Sequence, residues 1–71
     1  MRYSIINTSQ GEKCGFTPNT HRLTNNGQKM VVNENELRTV GEDIATVARM
    51  LGGVLMTRGE VINELNREEK T

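Results

Sequence analysis

Two short alternating runs are separated by Asn26-Gly27, a dipeptide suited to the tightest of β-hairpins. Both central residues of a type I′ turn take positive φ, which Asn and Gly tolerate better than other residues. With these two residues as the loop, Asn25 faces Gln28, Thr24 faces Lys29, Leu23 faces Met30 and His21 faces Val32. Side chains alternate across a strand, so His21, Leu23, Met30 and Val32 share one face, expected toward the core. Arg22, Thr24, Lys29 and Val31 share the other, expected toward water. A slip of one residue would exchange the faces, which makes the expectation a sharp one.

Upstream, the residues from Arg2 to Thr8 are rich in β-formers, and Ser9-Gln10-Gly11-Glu12 has turn chemistry. A short return strand is expected from Lys13 to Thr17, ended by Pro18, which cannot donate a ladder hydrogen bond.

Downstream, the pattern becomes helical. Thr39-Val40-Gly41-Glu42 and Thr57-Arg58-Gly59-Glu60 both match the capping box, and Asn33-Glu34-Asn35-Glu36 offers a further start of one or two turns. Ile44, Val47, Ala48 and Leu51 recur at i, i+3, i+4 and i+7, a single apolar stripe that Gly52-Gly53 terminates. Val54-Leu55-Met56 reads as a short buried strand. Val61, Ile62 and Leu65 form the apolar face of a last helix. The expected fold is a single α+β domain over residues 1–71, with 66–71 as a frayed tail. It has a small three- or four-stranded, mostly antiparallel sheet and two main helices packed on one face. The passage from Val32 to Val54 is long enough for a parallel crossover.

Composition limits what such a domain can do. Its 71 residues include a single Tyr, a single Phe and no Trp. Leu, Ile, Val and Phe supply about 23% of the chain, just above the rough 20% below which a chain reads as disordered. A chain this short buries only about 60% of its unfolded surface. That excludes a multi-domain enzyme and a cavity enclosing a large cofactor. The single Cys14 cannot form an internal disulfide. The first residues hold too few apolar side chains for a leader, and no stretch approaches the ~20 residues of a membrane span. A cytoplasmic location without membrane association is therefore expected.

Cys14 and His21 are the only thiol and the only imidazole. A thiol-dependent enzyme would need them within hydrogen-bond reach, together with an orienting group and an oxyanion site. One Cys and one His cannot close a structural zinc site, so neither a metal nor a cofactor is expected. Glu42 and Glu60 occupy the third helical position at each capping box, where they would repel an added phosphate.

Formal charge sums to zero, yet it is unevenly spread. Residues 1–32 place Arg2, Lys13, Arg22 and Lys29 against Glu12 alone, whereas residues 33–71 carry a net negative charge. The four early cations suggest a weak nucleic-acid-binding accessory protein with a basic sheet face, although few aromatics are left for base stacking. Glu60, Glu64 and Glu68, with Arg67, form a charged strip on the last helix suited to a protein partner. Val40 and Met50 fit no core stripe and suit self-association. With no catalytic constellation and little core, the expected function is a small non-catalytic protein-interaction or regulatory module acting through its surface. Nucleic-acid binding is the alternative, and the thiol enzyme comes after it.

Overall fold

A computed structural model describes residues 1–17, 21–24 and 26–69, the last two by backbone alone. The chain runs β1 (Tyr3–Asn7), α1 (Thr8–Lys13), β2 (Leu23–Thr24), β3 (Lys29–Asn33), α2 (Glu34–Arg38), α3 (Ile44–Met50), β4 (Leu55–Met56) and α4 (Arg58–Glu69). Four strands form one sheet in the order β2-β3-β1-β4, and each pairing is antiparallel. The α+β class and the antiparallel sheet are as expected. The passage after Val32 does bring β4 back in the direction of β3, but β1 lies between them.

The hairpin register is the one read from Asn26-Gly27. Leu23 pairs with Met30 and Thr24 with Lys29, and Asn26 and Gly27 take φ of 57° and 86°. The Gly27 amide donates to the Thr24 carbonyl at 3.1 Å. Asn25, Pro18 and most of the loop before His21 lie outside the described residues.

Alternation along β1 and β3 creates two unlike faces. Ser4, Ile6, Met30 and Val32 are buried on one. They join Phe16, Leu37, Val47, Ala48 and Leu51 in the core, with Cys14, Ile44 and Leu55 packed against it. The opposite face carries Tyr3, Ile5, Asn7, Lys29 and Val31, all half-buried. Leu23 and Lys29 depart from the expected pattern. Leu23 is 39% exposed because β2 is a two-residue strand at the edge of the sheet. Lys29 is half-buried because its Nζ donates to Asn7 Oδ1 at 2.6 Å.

Among the described residues the two main helices and the short one expected at Asn33 are joined by a fourth, α1, and α4 lies on the face opposite the others rather than on the same one. Thr8 to Lys13 is helical, so the turn at residues 9–12 and the return strand from Lys13 are absent. Packing explains the outcome. A Cβ added to Gly11 would lie 2.6 Å from Met30 Sδ, so glycine lets α1 press against the sheet, whereas local propensity favours a turn. Thr8 secures the helix start: its amide donates to the Gln28 carbonyl at 2.9 Å and its hydroxyl to the Gly27 carbonyl at 2.7 Å.

Asn33 and Glu36 form a complete capping box, with Glu36 N donating to Asn33 Oδ1 at 2.9 Å and Asn33 N donating to Glu36 Oε1 at 3.0 Å. No such box forms at Thr39, whose hydroxyl instead donates to the Glu36 carbonyl at 2.6 Å, closing α2 rather than opening a helix. Asp43 caps α3 in its place, accepting from Thr46 Oγ1 at 2.8 Å and more weakly from its amide. These hydrogen bonds hold the Asp43 carboxyl below its ordinary pKa. The stripe Ile44, Val47, Ala48, Leu51 faces the core as its spacing requires, and Gly52, at φ 90°, ends the helix. Gly53 has a separate role: a Cβ there would lie 2.4 Å from the Ile5 carbonyl oxygen. Only glycine allows the connection to pass this close to β1.

Candidate binding surface

The second sheet face is covered by one helix. Thr57 starts α4 through the expected capping box, its amide donating to Glu60 Oε1 at 3.0 Å and its hydroxyl accepting from Glu60 N at 3.2 Å. Helical geometry turns each successive residue by about 100°, and on α4 this leaves Val61 beneath the helix and Ile62 at its edge. Val61 is 6% exposed and Ile62 46% exposed. The helix packs on β1 and β4, which leaves β3 beyond its edge. A shallow groove of about 170 Å³ results, lined by Tyr3, Val31, Arg58, Val61 and Ile62. Its walls are largely apolar, and Arg58 is exposed at its end.

A second groove, about 310 Å³, lies near the other end of α4 among Ile5, Lys29, Gly52, Val54, Met56 and Glu64. Here Glu64 also pairs with Arg67 at 3.1 Å. A third, more polar, lies beside Thr8, Glu12 and Gln28.

The four early cations do not form one surface. Lys29 lies on the second face, and extending the β2–β3 register places Arg22 opposite Val31 on that face. Lys13 is on α1, across the sheet from them. Arg2 precedes β1, at the position alternating with Tyr3, and its amide donates to Glu34 Oε1 at 3.0 Å. The acidic strip is divided as well. Glu60 is engaged in the helix cap, and Glu64 is half-buried beside Lys29. Arg67 is exposed, and the Glu68 side chain lies outside the described residues. Val40 and Met50 are both exposed.

The imidazole of His21 is engaged elsewhere than at Cys14. Its Nδ1 lies 2.9 Å from the Thr17 carbonyl oxygen, and Nε2 contacts the Glu36 carboxylate. Both partners accept hydrogen bonds, so the protonated ring satisfies both at once. Burial is the largest single influence and opposes the charge. The Thr17 carbonyl and the Glu36 carboxylate together outweigh it, raising the pKa above the usual 6.5. The Phe16 ring stands beside the imidazole, with centroids 5.7 Å apart. Cys14 packs against the core.

Tyr3, Val31, Arg58 and Ile62 line one groove, although the sequence patterns place them on separate elements. The apolar pair Val61 and Ile62 marks a helix face, and which of the two lies at the edge is set by where α4 crosses the sheet. Among the described residues, no group of three or more His, Cys, Asp and Glu is arranged to hold a metal, and no helix is long and apolar enough to cross a membrane. No protein-family model, curated protein or solved structure matches the chain.

Proposed function

We propose that the chain is a non-catalytic protein-interaction module whose binding face is the part of the sheet that α4 leaves open. The observation carrying this reading is the position of α4 over β1 and β4, with Val31 and the 46%-exposed Ile62 lining a groove at its edge. An apolar groove bordered by charge suits an anchoring side chain of a partner. The engagement of His21 by Thr17 and Glu36 gives the imidazole a structural task, which supports a role without covalent chemistry. The single thiol fits a cytoplasmic setting, which belongs to the same proposal.

Site-specific photo-crosslinking in the source cells tests the reading. A photoreactive residue replacing Ile62 is expected to give a discrete protein adduct, and one replacing Ala45, exposed on α3, is not. No adduct from position 62, or equal adducts from both positions, would overturn the proposal.

A further inference from the structure

The groove beside α4 has a chemical bias. Its floor and walls come from Val31, Val61, Ile62 and the half-buried Tyr3, and its volume of about 170 Å³ is on the scale of one large apolar side chain. Arg58 lines the same groove, is exposed, and makes no ion pair among the described residues. The acidic residue closest to it along the helix, Glu60, turns its carboxylate back to the Thr57 amide. Glu64 belongs to the other groove and is paired with Arg67. Lys29, two residues from Val31 on the strand, is turned to Asn7 and lines the other groove, which leaves Arg58 as the charged residue of this one. Positive charge therefore borders an apolar slot.

We infer that this groove takes an apolar side chain carried on an acidic segment of a partner protein, with a flanking carboxylate meeting Arg58. The inference rests on the interaction-module reading and adds the chemistry of the partner. Two other occupants fit less well. Single-stranded nucleic acid would use the cations but needs exposed rings for stacking, and Tyr3, the only aromatic on this face, is a half-buried part of the wall. A second copy meeting face to face about a two-fold axis would bring the same patch against itself, so that Arg58 of each copy would meet a groove bordered by the same positive charge.

Fluorescence anisotropy with defined probes decides the matter. The first probe is a labelled peptide with one central Leu between runs of Glu. The others replace Glu by Gln, replace Leu by Ala, or are an oligo(dT) of similar length. The Glu–Leu peptide is expected to bind best. Replacing Glu by Gln, or reversing charge with Arg58→Glu, should weaken it about five- to tenfold. Replacing Leu by Ala should weaken it by more than about tenfold. Ile62→Asp is expected to remove binding, and Lys13→Glu, across the sheet, to leave it unchanged. Circular dichroism confirms that each variant folds.

Equal affinity for the Glu and Gln peptides, with loss in Ile62→Asp, would overturn the acidic partner and leave the module reading standing. So would an adduct at position 62 from a protein chain with no binding of any peptide. Tighter, salt-sensitive binding of oligo(dT) would replace the partner by nucleic acid. Dimerisation in sedimentation that Ile62→Asp abolishes would replace it by a second copy. Absence of both peptide binding and the position-62 adduct would remove the two proposals together.

Discussion

His21 holds an acceptor at each ring nitrogen, and one of them, Glu36, is shared with the capping box of α2. Glu36 Oε1 accepts from Asn33 N at 3.0 Å while its other carboxylate oxygen meets His21. His21, two residues before β2, is thereby tied to the start of a helix after β3. Because the folded pKa is raised above the unfolded 6.5, the proton stabilises the native state. That contribution is complete below the unfolded pKa and lost as pH rises through the folded one. Urea midpoints measured across a pH series are expected to fall as the pH rises above 6.5. His21→Gln should flatten this dependence and cost about 1–2 kcal/mol on the acidic side. An unchanged pH profile in that variant would separate His21 from the effect. Ser4 makes the opposite case, since its Oγ is fully buried and has no hydrogen-bond partner among the described residues. An unpaired buried hydroxyl costs about 1–3 kcal/mol. Ser4→Ala is expected to raise the urea midpoint, with a small loss of packing as the opposing effect.

Individual elements differ in how far their instructions are local. The box at Asn33 is formed and the matching pattern at Thr39 is not, so paired substitutions distinguish motif from structure. Asn33→Ala is expected to cost about 1 kcal/mol by denaturant unfolding, and the exposed Thr39→Ala to stay within about 0.5 kcal/mol. A larger loss at Thr39 would contradict the cap assignment. The hairpin register, the Ile44–Leu51 stripe and the cap at Thr57 were legible because each depends on residues within a turn or two. The helix at Thr8–Lys13 was not, because Gly11 answers to Met30 on a distant strand. Thr39 misled for a related reason: α2 had already begun at Asn33, so its hydroxyl met a helix end. At the groove beside α4, Val31 was legible as outward-facing by alternation. Arg58 and Ile62 acquire their meaning only from where α4 crosses the sheet, and that position depends on β4 pairing with β1.

At the scale of the molecule, the sheet separates two packing regions of unequal size. The core on the Ile6 face gathers residues from β1, α2, β3 and α3. On the other face, α4 contributes one buried apolar side chain among the described residues, Val61, with Leu65 half-buried. Burying a single such residue is worth about 1.5–3 kcal/mol, so α4 is held less firmly than the strands beneath it. Native-state hydrogen exchange is expected to divide the amides accordingly. Those of Ile6, Met30 and Val32 should exchange only through global unfolding, with a steep denaturant dependence. Those from Leu65 to Arg67 should exchange through a smaller opening of α4, at lower free energy and with little denaturant dependence. Equal free energies in both groups would show that α4 and the sheet unfold as one unit. The groove is built from both sides of this seam, Arg58 and Ile62 on the helix and Tyr3 and Val31 on the strands. A ligand that bridges them stabilises the docked helix by mass action. Saturating the protein with the Glu–Leu peptide should therefore slow exchange in α4 more than in β1 or β3. Uniform slowing would place the peptide's effect on global stability instead of on the helix–sheet seam.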